Sequence, residues 1–361
     1  MIYLSLFIST LILSISSMFR RFPSSIVYFL LTFFVVLVIA LRYDSVDYFS
    51  YFSIYEKIND LSELGFFVYS INSATPMESG FAILVLIEKL FFGHFFIFIA
   101  FFSLLSLLIK FAAFKKMTPY VLLSLLLYLS DEYFWKDLGQ IRNAMASGVL
   151  LWAFYFAYFR RFWFFIALAI TAMLFHSAAI VAFPFYFANY LKSRFLAIFA
   201  LFLSILTVYF FGGVGLFIPD TALFLGFDEY SRIVKYATSQ YVSGIQPFGG
   251  TFFLQLMVCF LMIVFYRKLI DKWPLNELFI PIYIYSSCLF FLFIDYGIIS
   301  GRIREMLCIP VACVVIPSFV LIFRGYSKFI PCLAIVFYCS IWFYMMMRDR
   351  ASYQTILQFL F

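Results

Sequence analysis

Charge is scarce in this sequence. Only 12% of the 361 residues are Asp, Glu, Lys or Arg, whereas 66% are hydrophobic. A soluble domain carries charge on about a quarter of its residues, because water must solvate its surface. This chain lacks the residues for such a surface, which indicates a membrane protein. Lys and Arg outnumber Asp and Glu by 25 to 18, and in this class that excess indicates membrane topology rather than affinity for nucleic acid.

Motifs for metal, nucleotide and serine-hydrolase chemistry are also missing. The sequence has no metal-ligand spacing, no glycine-rich loop followed by Lys-Ser/Thr, no G-x-S-x-G and no H-E-x-x-H. The cysteines all lie in apolar runs, so we expect packing residues and no disulfide framework. They are Cys259, Cys288, Cys308, Cys313, Cys332 and Cys339. We expect no metal and no cofactor, and any chemistry must use an already activated, lipid-borne donor.

Long uncharged apolar runs are what the chain does have. Residues 1–19 and 195–219 are examples, and a helix needs about 20 such residues to cross a bilayer. Basic pairs such as Arg20-Arg21 separate the runs and mark cytoplasmic ends. Counting by span length predicts an all-α polytopic integral membrane protein with about 12 transmembrane helices, forming a single transmembrane domain over residues 1–361. The N-terminal run is expected to be a first span, not a cleaved signal peptide.

Segments between the cytoplasmic clusters should face the outside, which is the periplasm in a Gram-negative cell. Two of them, residues 42–79 and 213–249, are long enough to fold over a site. Residues 80–92 are too short to span comfortably, so we expect an interfacial or re-entrant helix followed by the true crossing. The uncharged stretch 162–191 is expected to form two short helices that turn at His176.

Arginines at the external ends of the spans are the most informative charges, because positive charge is normally depleted there. The four are Arg42, Arg142, Arg302 and Arg304. Arg142 closes the segment 131–142, which the same topology places outside. Snorkelling would explain one arginine, and Glu305 offers Arg304 a simpler partner. Four together favour a receptor for phosphate or pyrophosphate, because a guanidinium binds phosphate through two parallel hydrogen bonds.

His176, Asp44 and Asp47 each have two interpretations. A lone histidine in an apolar run is often a hydrogen-bonded packing residue, but imidazole titrates near neutral pH and suits a general base. The two aspartates fit the cap and first turn of a helix. They also fit a role in orienting an arginine or a sugar hydroxyl. The residues alone leave these alternatives open.

Five short motifs resemble those of EpsG-like polysaccharide polymerases, the group that includes many Wzy O-antigen polymerases. They run in order over most of the chain. The motifs are RYDSVDYFSY from Arg42, ESGF from Glu78, QIRNAMA from Gln140, FHSA from Phe175 and RIREM from Arg302. The chain departs from the family at Ser45-Val46, where a glycine often stands, and at Met306, where an aromatic is frequent. These departures fit a diverged branch or a different sugar specificity.

The resemblance implies a GT-C-like glycosyltransferase of the bacterial inner membrane, with its active site facing the periplasm. Such enzymes transfer the growing glycan from undecaprenyl pyrophosphate to the non-reducing end of a lipid-linked repeat unit. The implied partners are that lipid-linked oligosaccharide, membrane lipid, and a flippase and chain-length regulator of the same pathway. The implied roles are pyrophosphate binding for Arg42, Arg142, Arg302 and Arg304, catalysis for His176, Asp44 and Asp47, and substrate binding for Tyr48, Tyr51, Glu78 and Gln140.

Other functions stay open on the sequence. An O-antigen ligase uses the same donor with lipid A-core as acceptor, and sequence separates the two activities poorly. A lipid-linked oligosaccharide flippase, which is a transporter, should show paired half-repeats and charge deep inside several spans. A non-catalytic scaffold has no use for clustered external arginines. The motif order favours the polymerase.

Overall fold

The computed structural model describes residues 2–19, 24–43, 47–62, 64–69, 77–131, 133, 136–215, 246–348 and 354–355. These residues are almost all helical, which agrees with the all-α membrane protein that the sequence predicts. Apolar runs form helices in a bilayer because their backbone N–H and C=O groups have no water to bond with and must satisfy one another.

Within the described residues, eight α-helices of ten or more residues lie in the first half of the chain. They are α1 (Ile2–Phe19), α2 (Ser24–Ala40), α3 (Tyr48–Lys57), α4 (Ser79–Phe91), α5 (Phe95–Met117), α6 (Val121–Ser130), α7 (Ile141–Tyr158) and α8 (Phe162–Phe175). Two antiparallel ladders of two residues a strand accompany them. They are β1 (Arg42–Tyr43) with β4 (Gln354–Thr355), and β2 (Val68–Tyr69) with β3 (Met77–Glu78).

The second half begins with a 3₁₀ helix over Ser177–Tyr190. The α-helices that follow are α9 (Arg194–Phe211), α10 (Gly250–Val264), α11 (Tyr266–Lys272), α12 (Asn276–Leu292), α13 (Gly297–Ile303), α14 (Ile309–Val315) and α15 (Phe329–Arg348). A π-helical turn, Arg304–Cys308, joins α13 to α14. The 3₁₀ turns Ile316–Ile322 and Gly325–Lys328 precede α15.

Helix lengths show that several apolar segments do not cross a bilayer alone. Within the described residues, four helical stretches are long and apolar enough to span, and α10 with α11 adds a fifth that is bent by 71°. Other apolar helices have 10–17 residues, fewer than the about 20 that a span needs. The total of about 12 spans stays a prediction.

Two compact units divide the chain, one formed by residues 1–183 and 312–361, the other by residues 184–311. The first unit has an aromatic core in which Phe81 is fully buried. Its ring centre lies 5.6 Å from that of Tyr51 and 5.2 Å from that of Phe98. All six cysteines are buried and none forms a disulfide, which agrees with the prediction that they are packing residues.

The corner between α4 and α5 agrees with the sequence. α4 is a separate helix of 13 residues, about 20 Å long, and the chain turns at Gly93 with φ 70°. That positive φ favours glycine, because a Cβ would clash with the backbone. Glu88 is buried beneath the turn and accepts hydrogen bonds from the Tyr55 hydroxyl at 2.5 Å and the His94 amide at 3.1 Å.

The stretch 162–191 breaks at His176, as predicted. α8 ends at Phe175 and the 3₁₀ helix begins at Ser177. With 14 residues, α8 is about 21 Å long and cannot span a hydrocarbon core of about 30 Å. His176 therefore stands where α8 meets the 3₁₀ helix.

The described residues between 131 and 142, a segment that the sequence predicts to be external, are largely enclosed by protein. Asp131, Tyr133, Asp137 and Leu138 are all buried, and α6, which leads into them, has only ten residues. Such a helix rises about 15 Å, half the thickness of a hydrocarbon core. Irregular backbone at that depth is tolerated only where protein covers it, which is the situation here.

The two long segments predicted to be periplasmic are only partly described. Residues 44–46, 63 and 70–76 of the first, and 216–245 of the second, lie outside the described residues. The start of the second segment, in the second unit, is held by Asp295. Its Oδ1 accepts a hydrogen bond of 2.8 Å from the Gly215 amide.

Candidate functional site

Arg142 and Glu78 form an ion pair at the centre of the candidate site. Arg142 lies in the first turn of α7, and its Nη1 donates a hydrogen bond to Oε2 of Glu78, the N-cap residue of α4. The side chains are 23% and 10% exposed. A charge-assisted hydrogen bond between partly buried groups is stronger than one in water, so each side chain orients the other. The second and third sequence motifs therefore meet in space.

Tyr51, from the first motif, packs beside the same guanidinium. It is buried on α3, and its ring centre lies 5.7 Å from the guanidinium carbon of Arg142. A cation within about 6 Å of an aromatic face is attracted to the negative charge of the ring. Arg142 is thus held between a carboxylate and an aromatic ring.

The fourth motif reaches the site through Ser177 and His176. The Ser177 amide and hydroxyl lie 3.4 and 3.5 Å from Oε1 of Glu78 and donate to it. His176 caps the C-terminus of α8, and its Nδ1 accepts a hydrogen bond of 3.2 Å from the Ala178 amide. An Nδ1 that accepts carries no proton, which fits a neutral imidazole protonated at Nε2.

Gly80 explains how these elements approach so closely. A Cβ placed on Gly80 would lie 2.6 Å from the carbonyl oxygen of Leu174 in α8, closer than any side chain tolerates. The start of α4 therefore rests directly on the backbone of α8. That contact brings Glu78 within reach of Ser177. The ESGF motif thus combines a pairing carboxylate, a close helix contact and a core aromatic.

A second polar cluster, which the sequence analysis missed, lies around Asp137. Its Oδ2 accepts hydrogen bonds from Lys110 Nζ at 2.7 Å and from the Tyr128 hydroxyl, and its Oδ1 accepts one from Ser106 at 3.0 Å. Lys110 and Asp137 are both 1% exposed. Lys110 interrupts the apolar run of α5, and a charge inside a predicted span is the signal that could have identified this cluster.

Arg42 belongs to this buried region and is only 2% exposed. Its Nη1 donates to the backbone carbonyl of Asp137, while its Nε and Nη2 have no hydrogen-bond partner among the residues that the structure describes. Burial raises the pKa of the neighbouring Tyr48, and the Arg42 guanidinium opposes that rise. The sequence analysis expected Arg42 at the external end of a span, and it did not predict the burial of this side chain.

The remaining predicted residues of the first unit occupy helix starts. Asp47 is exposed at the N-cap of α3 with φ 66°, and its side chain makes no capping hydrogen bond there. Gln140 stands at the N-cap of α7, where its Oε1 accepts from Asn143 Nδ2 at 3.2 Å. Asp44 lies outside the described residues.

Arg302 and Arg304 lie in the second unit. Glu305 binds Arg302, at 3.1 Å between its Oε2 and Nη1, whereas the sequence suggested Arg304 as its partner. The spacing i, i+3 places those two on one helix face. Arg304 begins the π-helical turn that runs to Cys308, and π-helical turns are frequent at functional sites.

The structure thus brings together residues of four motifs in the first unit: Tyr51, Glu78, Arg142 and the His176–Ser177 pair. The fifth motif belongs to the second unit. Among the described residues, no group of three or more His, Cys, Asp or Glu is arranged to hold a metal ion. The described cluster offers an arginine that can bind an anion and a histidine that can act as a base.

The model of the EpsG family matches residues 25–361, which is nearly the whole chain. Neither a curated protein nor a solved structure matches it.

Proposed function

Because the chain belongs to the EpsG family, whose members are polysaccharide-polymerase-like membrane proteins, we propose that it is a Wzy-type polymerase. It transfers a growing glycan from undecaprenyl pyrophosphate to the non-reducing end of a lipid-linked repeat unit at the periplasmic face of the inner membrane. The observation that carries this proposal is the cluster of Arg142, Glu78, Tyr51 and His176–Ser177 at the meeting point of helix ends.

Arg142 is suited to the leaving pyrophosphate. Glu78 binds Nη1, and the Arg142 side chain is still 23% exposed. A guanidinium can bind two phosphate oxygens in parallel. A cation fixed before the reaction stabilises negative charge as it develops on the leaving group. Departure of the pyrophosphate is the step that Arg142 assists.

His176 is suited to accept the proton of the attacking sugar hydroxyl. Its neutral imidazole is a base near physiological pH. The hydroxyl oxygen attacks the anomeric carbon as the bond from that carbon to the pyrophosphate oxygen breaks. The proton goes to the imidazole, and the electron pair of the broken bond leaves with the pyrophosphate. Asp44 and Asp47 are the alternative bases.

A flippase is the second candidate, favoured by the buried Lys110–Asp137 pair, because charge within spans is typical of transporters. The lipid-linked oligosaccharides of a deletion strain separate the candidates. A polymerase deletion leaves lipid A capped with single repeat units and no polymer. A ligase deletion abolishes all capping, and a flippase deletion leaves repeat units on the cytoplasmic face. Either of the last two profiles would overturn the proposal.

Replacing Arg142 with lysine should reduce polymerisation by about 10²-fold, the usual cost of losing one stabilising donor in an active site. Lysine keeps the positive charge but cannot form the bidentate pair of hydrogen bonds that arginine forms with phosphate. Polymer length and amount in a complemented deletion strain are the measurement, with protein levels checked by immunoblot. Arg161→Lys, at an exposed arginine that follows the same helix, is the matched control and should polymerise normally. Normal polymer with Arg142→Lys would rule out phosphate recognition by this side chain.

A further inference from the structure

An apolar groove runs between α9 and α10 in the second unit. Its volume is about 630 Å³, and the side chains that line it are apolar except for Arg194. Those from α9 include Ile198 and Phe202, and those from α10 include Met257 and Phe260. Phe202 and Phe260 are 57% and 61% exposed, so their outer surfaces face the surroundings of the protein, which in a membrane are lipid.

The two helices are antiparallel along this groove. The Tyr266 hydroxyl, just beyond the end of α10, donates a hydrogen bond of 2.9 Å to the Lys192 carbonyl, just before the start of α9. The lining residues of α9 run from Arg194 to Ile205, a rise of about 16 Å. That length is about one leaflet, half of a hydrocarbon core of about 30 Å.

The end of the groove at Arg194 is basic. Lys192 is neutralised by Glu277, at 3.0 Å, whereas Arg194 is exposed and forms no ion pair within the part of the chain that the structure describes. Arg267 and Lys268 are exposed at the start of α11, the helix that follows the other wall. Asp271 is the acidic residue of that helix, so positive charge prevails at this end.

We propose that the groove binds one anionic phospholipid, with an acyl chain along the apolar walls and its phosphate on Arg194. A bilayer supplies both parts at the right spacing, because the headgroup lies one leaflet's thickness from the chain ends. Guanidinium groups form charge-assisted hydrogen bonds with phosphate oxygens. The basic cluster marks this end as cytoplasmic, whereas the proposed glycan donor reacts at the opposite face. The lipid site is therefore independent of the polymerase proposal.

Binding of phosphatidylglycerol and phosphatidylcholine to the purified full-length protein in detergent tests this site. Native mass spectrometry of titrations gives the affinity of each lipid. The unaltered protein should prefer phosphatidylglycerol. Arg194→Gln should lower the affinity for that lipid about fivefold, the expected effect of one basic residue at an anionic headgroup. Lys192→Gln, two residues away and already paired with Glu277, is the matched control and should change little. Equal weakening by both substitutions would overturn the proposal in favour of general surface charge.

A second variant tests the apolar half of the site. Ile198→Trp fills the groove without changing the charge, and should weaken both lipids by excluding the acyl chain. Phe195→Trp, on the exposed surface of the same helix but outside the groove lining, should leave binding unchanged. A monodisperse gel-filtration peak is required of each variant. Undiminished phosphatidylglycerol binding to folded Ile198→Trp would show that the lipid does not lie in the groove.

Discussion

Replacing His176 with alanine should reduce polymerisation by about 10²–10⁴-fold, the usual contribution of a general base, while the donor still binds. His176→Gln should be no better, because an amide orients a hydroxyl but does not take its proton. The activity of the unaltered enzyme should also fall as pH decreases, since a protonated imidazole cannot act as a base. The measurement is the rate of repeat-unit transfer by purified protein, with retention of labelled lipid-linked donor measured alongside.

His94 provides the control, because it is the only other histidine in the sequence and is exposed before α5. His94→Gln should polymerise at the normal rate. If His176→Ala or His176→Gln retains near-normal activity, then His176 is a packing residue. The proton would in that case pass to a carboxylate such as Asp47, or departure of the pyrophosphate would suffice to drive the reaction.

Replacing Lys110 with methionine should destabilise the protein by about 3–5 kcal/mol, the cost of leaving one partner of a buried ion pair uncompensated. The Asp137 carboxylate would then be enclosed with only the hydroxyls of Ser106 and Tyr128 as donors. The measurement is thermal unfolding of the purified protein in detergent. Lys115→Met, at an exposed lysine on the same helix, should leave the unfolding temperature nearly unchanged.

The double substitution Lys110→Met with Asp137→Asn distinguishes the ion pair from simple packing. Asparagine keeps an oxygen acceptor for Ser106 and Tyr128 but carries no charge, so the Lys110–Asp137 ion pair is removed as a unit, while the buried Arg42 keeps its hydrogen bond to the backbone carbonyl of residue 137. The double variant should therefore be more stable than Lys110→Met alone. If its stability is the lower of the two, the Lys110 side chain contributes by filling space and the charge argument is wrong.

The sequence predicted the helix ends well where charge or parity constrains them. Arg160-Arg161 and Lys192 were both expected at cytoplasmic ends, so the apolar stretch between them was expected to turn, and His176 was the polar residue chosen for that turn. The same reasoning separated α4 from α5, since a crossing was needed before Lys115. These inferences depend only on the cost of placing charge in lipid, which acts on the chain locally.

Enclosure by neighbouring helices could not be predicted in this way. Arg42 and Asp137 are flanked by residues that look external, and hydropathy does not show that other helices surround them. Lys110 was visible as a charge within a span, but its partner is 27 residues away along the chain. A buried ion pair forms only where two segments that are distant in sequence come together in the fold. A single sequence does not show which segments do so.

The candidate site was predicted as a set of residues but not as an arrangement. Tyr51, Glu78, Arg142 and His176 were all identified from the family resemblance. Their pairing was not: Glu78 was expected to bind substrate, and its contacts with Arg142 and Ser177 were not predicted. The ion pair between Glu305 and Arg302 was likewise not predicted. Which arginine a carboxylate binds depends on the distance between the two side chains in the fold, and motif spacing along the sequence does not give that distance.

The short helix α6 and the enclosed segment after it have a consequence for biogenesis. The ten residues of α6 are followed by Asp131, Lys136 and Asp137. Such a segment passes poorly from the translocon into the bilayer, because a charge at the centre of an inserting segment costs about 2.5–3.5 kcal/mol on the insertion scale. Asp137 gains its partner only once α5 has been delivered. We therefore expect α5 to enter the bilayer first, and this segment to fold back against it afterwards.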